Sequence, residues 1–399
     1  MTRQFSIPTV LRMVPNALLQ EFFEKQGHSE FDPKWSELRE REIEPILAYL
    51  DELERAPLDE IESALRTVFD LSCDSGLEAI LEAARHSGNA ELGRVIPEDL
   101  GVYGKAMWVF LNHRRIFDRA HTLHDVTHMS WWRKRNDLPS TELDLPPQAL
   151  RRLEDAVSDI LRDQGRGKEC TVETFRQGET HYFFAYPDDF VENVVIHDED
   201  GKLAPCTFRK TLLVAFAYNR RDGSLELCAK LAKQWKERLE AAFAQEILGW
   251  SLGPYEPEAA YELNHLKDDS FDLRTDPQDR IRVKIKKLRL SARHCGRRIH
   301  VEVDVDDPND DIHKALRECL NPEYAPLAEW NVTQATFCIE FLPMDGRKPG
   351  RQTFDVTYPH SCNLRSARPE RAELIQKYLK RWRIDRESGV TTASVATGS

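Results

Sequence analysis

The hydrophobic period of this chain changes at Gly165-Arg166-Gly167-Lys168, and the change divides it into two parts that cannot share one architecture. On the N-terminal side apolar residues recur at three-to-four spacing: Leu11, Val14, Leu18 and Phe22, then Leu38, Ile46, Leu50 and Leu53, then Ile61, Leu65 and Val68. Such stripes bury one face of a helix. Pro57, Ser75-Gly76, Ser87-Gly88, Pro97 and Pro146-Pro147 interrupt the runs as loop or first-turn signals. The spacing predicts an all-helical domain of about six or seven helices, with no fixed-period repeat to suggest a solenoid.

Beyond the change the periodicity is that of strands. β-branched and aromatic residues fill Thr171 to Phe190, and Val194–His197, Thr211–Tyr218 and Leu225–Cys228 follow, with turns at Asp200-Gly201 and Asp222-Gly223. One helical stripe interrupts them, Leu231, Trp235, Leu239, Ala242, Phe243 and Ile247, with Gly249 placed to end it. After the loop at Pro254 to Pro257, further strands are expected at the basic segment near residue 280, at Ile299–Val305, Ala335–Phe341 and Thr353–Tyr358, the last two flanking an Asp345-Gly346 turn. Helices are expected at Asp311–Leu320 and from Pro369 to Trp382. The expected fold class is α+β: a helical domain over 1–165, an α+β domain over 168–385 with a mainly antiparallel sheet and helices on one side, and a disordered polar tail over 386–399.

The whole chain carries a formal charge of -12, yet Arg280, Arg282, Lys284, Lys286, Lys287, Arg289, Arg293, Arg297 and Arg298 follow one another without an Asp or Glu between them. Ile281, Val283 and Ile285 alternate with the cations, so an extended strand sends the two sets to opposite faces. Ile299, Val301, Val303 and Val305 alternate in turn with His300, Glu302 and Asp304, ahead of Asp306 and Asp307. A hairpin with its loop at Ala292–Arg297 pairs Leu290 with Ile299 and Leu288 with Val301, and the Lys286-Lys287 doublet requires a bulge to bring Ile285 beside Val303. Glu302 then faces the doublet, Asp304 faces Lys284 and Asp306 faces Arg282. Arg289 opposite His300, with Arg280, Arg293, Arg297 and Arg298, is left over. These are the expected nucleic-acid contacts, because arginine grips phosphate through two parallel hydrogen bonds.

Trp131-Trp132-Arg133-Lys134-Arg135 is a second candidate, in which Trp132, Arg133, Lys134 and Arg135 combine a stacking ring with cations as single-strand binders do. The competing expectation is a helix end, with one Trp in the core and the cations near the C-terminal dipole. His121, His124 and His128, with His113 and Asp125 close by in sequence, could aim three imidazoles from one helix face at a zinc ion. Neither the glutamate of H-E-x-x-H nor a cysteine pair accompanies them. No metal or cofactor is assigned, and a metal-dependent hydrolase or nuclease using this cluster is the alternative.

Other catalytic patterns are weaker. Glu226 and Lys230 are too far apart for the Glu-x-Lys of a nuclease strand, and Glu179, His181, Asp188 and Asp189 are acid-base residues of a kind that any exposed strand supplies. His360, Cys362 and Asn363 have the composition of a thiol triad, although neighbours in sequence need not converge in space. No P-loop, dinucleotide fingerprint or hydrolase elbow is present. The eight cysteines are scattered singly, and the first residues lack a secretory core, so reduced thiols and a cytoplasmic location without a membrane span are expected. A pI near 5.6 makes any polyanion contact local. The composite expectation is a non-catalytic component of a microbial regulatory or antiviral defence complex, contacting nucleic acid or an acidic partner through the hairpin and a protein partner through the helical half. A scaffold subunit without nucleic-acid contact is the other alternative.

Overall fold

A computed structural model describes residues 4–129, 132–198, 201–254, 260–344, 347 and 349–386. Trp131, Asp200, Pro257, the expected Asp345-Gly346 turn and residues 387–399 lie outside the described residues. The chain is α+β, and it divides into two compact units: Met1–His128 with Val195–Cys206, and Met129–Val194 with Thr207–Ser399.

The first unit contains α1 (Ile7–Met13), α2 (Asn16–Lys25), α3 (Glu44–Glu52), α4 (Arg55–Leu71), α5 (Asp74–His86), α6 (Leu92–Val95), α7 (Val102–Asn112) and α8 (Arg114–His128). The apolar spacing explains them: α4 buries Ile61, Ala64, Leu65, Val68 and Phe69 on one face. Leu11, Phe22, Val68, Phe110 and Phe117 meet in the common core. No helix among the described residues is long and apolar enough to cross a membrane.

Next along the chain come β1 (Trp132–Arg135), α9 (Pro147–Arg162), β2 (Cys170–Gln177), β3 (Thr180–His197), β4 (Leu203–Thr211), β5 (Val214–Asn219), β6 (Ser224–Cys228) and α10 (Lys233–Leu248), all in the second unit except the Val195–Cys206 stretch of β3 and β4. Its first sheet runs β1-β6-β5-β3-β2, with β4 paired to β3. Gly223 holds the β5–β6 turn at φ 62°, where a Cβ would stand 2.2 Å from the Leu138 carbonyl oxygen, so only glycine fits. Gly249 ends α10 in the left-handed region, as its place after the stripe predicted. Phe243 of α10 lies edge-on to Phe183 and stacked on Phe216, each at 5.0 Å. The boundary expected at residues 165–168 therefore moves to His128. Helix α9 was counted with the helical domain, but its Leu153, Val157 and Leu161 pack in the same core as Phe183 and Phe216. An amphipathic stripe specifies that a face is buried, not what covers it.

A second sheet follows, with β7 (Ile281–Ala292), β8 (Arg298–Glu302), β9 (Trp330–Phe341), β10 (Gly350–Thr357) and β11 (Ser361–Cys362) in the order β11-β10-β9-β7-β8, and with α11 (Ile312–Cys319) and α12 (Pro369–Arg381). All of its strand pairs are antiparallel. Leu288, Phe337 and Phe354 from the strands share a core with Leu316 of α11 and with Ile375, Tyr378 and Leu379 of α12, so the helices cover one face. Arg386, expected to begin the disordered tail, is tied down: its amide donates to the Ala260 carbonyl at 2.9 Å and its guanidinium meets Glu262 at 3.1 Å.

Candidate nucleic-acid interface

Alternation along β7 sends Ile281, Ile285, Leu288 and Leu290 into the core and leaves Arg282, Lys284, Lys287 and Arg289 on the face that α11 and α12 do not cover. The β8 register is the expected one, with Leu288 opposite Val301, Leu290 opposite Ile299 and Arg289 opposite His300. The doublet is bulged as expected, since the register against β9 shifts between Ile285 and Lys287. Glu302 lies opposite Lys287, and its carboxylate is 3.3 Å from the Lys286 ammonium.

The two acids beyond it do not pair as expected. β8 stops at Glu302, and Asp304 and Asp307 turn the chain by accepting from the amides of Asp306 and Asn309. Asp306 meets Arg351 of β10 at 2.5 Å, and Lys284 donates to the Asp307 carbonyl at 2.6 Å. Arg282 is answered instead by Glu340 of β9, 3.6 Å away. Local alternation points β7 to β8 alone, because β9 begins 38 residues after β7 ends.

At the hairpin end the balance fails. Arg293, Arg297 and Arg298 are exposed, and Arg297 and Arg298 have no ion pair among the described residues. Arg289 donates to the Thr333 hydroxyl at 3.0 Å and carbonyl at 3.2 Å, while Arg293 donates to the Asn331 amide oxygen at 3.2 Å. These partners are neutral. Burial first and then the neighbouring Arg298 press the Arg289 guanidinium below its ordinary pKa, with Asp355 opposing them. Glu329 lies 2.8 Å from the His294 ring nitrogen. Arg280 does not join this group. It precedes the other end of β7, roughly 40 Å away at about 3.3 Å per residue.

Trp132, Arg133, Lys134 and Arg135 are placed elsewhere and differently. They form β1, a strand and not a helix end, and all four are buried. Alternation again explains their destinations. Arg133 and Arg135 turn to Glu240 of α10 at 3.0 and 3.1 Å, and Arg135 also meets Asp137 at 2.6 Å. Lys134 meets Asp385 at 2.7 Å, and the Trp132 ring lies 4.0 Å beneath the Arg365 guanidinium. A phosphate would have to displace a carboxylate and enter a closed interior to reach them.

In the helical unit the three histidines go to separate partners. His121 lies 3.2 Å from Asp70 and 3.7 Å from Asp125, His124 lies 3.3 Å from the Ser75 hydroxyl, and the His128 ring packs on His124 with its Nδ1 on the His124 carbonyl. Among the described residues no three His, Cys, Asp or Glu side chains form a metal-ligand group. Glu179 is paired with Arg220, Asp189 with Arg166 and Glu226 with Arg365, each within 2.8 Å. Burial pushes the Cys362 thiol up to about 12, and Asn363 accepts from the Asp355 amide, so neither is arranged for attack.

His360 carries a pH prediction. Burial, then Arg133, Lys236 and Lys233, push its pKa down to about 4. The folded state therefore resists a proton that the unfolded chain accepts, and stability falls as pH drops from about 6.5 to about 4, with no further change from this group below. Allowing for its partial exposure, the loss is about 1 to 2 kcal/mol. Denaturant midpoints at pH 7 and 4.5 should converge by that amount in His360→Gln; an unchanged difference would remove His360 as the cause.

No protein-family model matches the chain, and no curated protein matches it.

Proposed function

We propose that this chain is a non-catalytic component of a regulatory or antiviral defence complex that contacts nucleic acid through the β7–β8 end of its second sheet. The supporting observation is the positive charge of Arg289, Arg293, Arg297 and Arg298 gathered without a paired carboxylate at one end of a face on which Glu340, Glu302 and Asp306 pair with Arg282, Lys286 and Arg351. In a protein of charge -12 a local excess of this kind steers a polyanion to one place and lets the rest of the surface repel it. The face has no exposed aromatic ring among its described strand residues, so contact is through phosphates and not by base stacking. Side chains exposed along β3 and β4, among them Phe190, Val195, Leu203 and Phe208, are consistent with the protein partner that a complex requires.

The variant R293A/R297A/R298A tests the reading by fluorescence anisotropy with labelled oligonucleotides across a salt series. Affinity should fall at least about tenfold at low salt, and the slope of log K against log salt should flatten by about two to three. The denaturation midpoint should stay within about 0.5 kcal/mol of the parent, because the three side chains are exposed. Equal binding by variant and parent would overturn the proposal.

A further inference from the structure

The placement of the arginines is narrower than a surface for phosphates in general requires. We infer that the cluster of Arg289, Arg298 and His300, flanked by Arg293, is a site for a terminal phosphomonoester, so that the protein engages phosphorylated ends of nucleic acid. This rests on nucleic acid being the ligand.

The charge is compact and not extended. A track for a run of phosphodiesters needs cations repeating along a strand, and β7 has that row in Arg282, Lys284, Lys286 and Lys287. Arg282 and Lys286 meet the carboxylates of Glu340 and Glu302, Lys284 turns to the Asp307 carbonyl, and Lys287 lies opposite the same Glu302, so that row is broken by acids along its length. What is left stands at one corner. Arg289 faces His300 across the β7–β8 pair, and Arg298 faces Ser291, so Arg289 and Arg298 are diagonal neighbours. Diagonal Cα atoms are about 7 to 8 Å apart, a separation from which two guanidinium groups can bind oxygens of one phosphate.

The corner is also held in place. Thr333 takes two hydrogen bonds from Arg289, and Asn331 takes one from Arg293. These neutral acceptors orient the cations without cancelling them. Of the nearby acids, Glu302 is paired with Lys286 and Glu329 lies 2.8 Å from His294, while Asp355, which accepts from the Thr336 hydroxyl at 2.5 Å, offsets part of the positive charge at Arg289. Positive charge gathered against its own repulsion selects the ligand of highest charge per volume. A phosphomonoester carries about -1.5 to -2 at pH 7, where each internal phosphodiester carries a single charge. His300 adds donor capacity on the same face.

The test measures binding of the full chain to one oligonucleotide sequence made with a 5′-phosphate, a 3′-phosphate or hydroxyls at both ends. At least one phosphorylated form should bind about tenfold or more tightly than the hydroxyl form, and the two phosphorylated arms identify which end is taken. Arg298→Ala should abolish the preference, and Arg298→Lys, which keeps the charge without the fork, should restore it only in part. His300→Gln, at an exposed position, gives a second readout at the same corner. Equal affinity for all three oligonucleotides would overturn the end-binding inference and leave the broader reading standing. Binding to none of them would overturn both.

Discussion

Glu240→Ala is expected to destabilise the second unit by about 3 to 5 kcal/mol, the usual consequence of removing one partner from a buried ion pair. Glu240 is 0% exposed and is shared by two guanidiniums that are each 3% exposed overall. Its loss takes the buried carboxylate from both cations, while the half-exposed Glu237 stays 3.5 Å from Arg133 and Asp137 stays 2.6 Å from Arg135. Burial already pushes the Glu240 carboxyl above its ordinary pKa against the pull of Arg133 and Arg135, so the site is expensive to ionise and depends on both cations. Glu240→Gln separates shape from charge, since the amide fills the same space and accepts one hydrogen bond but balances neither cation. It should retain a large part of the loss in urea denaturation. A loss below about 1 kcal/mol in the alanine variant would mean that the guanidiniums find water and that the strand is not sealed.

Lys134→Ala is the second large effect, again about 3 to 5 kcal/mol. Burial alone would lower the Lys134 pKa, but Asp385, Glu226 and Asp222 outweigh it and hold the ammonium above its ordinary value. Removing it takes the cation from the Asp385 carboxylate, which is 4% exposed and keeps only a long hydrogen bond from the Asn136 amide at 3.4 Å among the described side chains. The double variant Lys134→Met with Asp385→Leu should recover most of the loss, because apolar residues of similar volume can replace a buried pair with little net change. The cycle of single and double variants reads the coupling directly. Losses that simply added would show that the two groups act independently of each other.

These two pairs also show where sequence reading ended. The hairpin of β7 and β8 was legible to the register and the bulge, because everything that determines it lies within about 20 residues and each strand alternates cleanly. The termination of α10 at Gly249 was legible for the same reason. The four residues of β1 were not. A Trp-Arg-Lys-Arg run has the composition of an exposed surface, and its carboxylate partners are 105 residues on at Glu240 and 251 residues on at Asp385. Its strand neighbour β6 begins at Ser224. Likewise the split of the basic strip into answered and unanswered parts was expected, and the division falls near the hairpin end as expected. That Glu340 of β9 answers Arg282, and that Arg351 of β10 takes Asp306, was not, since pairing across a sheet of five strands is not written in any one of them.

The separation between Lys134 and Asp385 has a consequence for synthesis. A ribosome adding about 5 to 20 residues per second completes β1 many seconds before it supplies the carboxylate that β1 closes upon. During that interval the first sheet can gather β2 to β6, but the ammonium of the strand at the edge of β6 still lacks its closest carboxylate, with Glu226 and Asp222 acting from farther off, and docking it dry is less favourable. The helical unit, whose residues 1–128 are made first, has no such dependence on the far end of the chain except at its short segment 195–206. Assembly is thus ordered in time by the placement of one carboxylate: early for the helices, late for the strand that follows them. A nascent chain arrested before residue 385 presents an open sheet edge to chaperones and proteases.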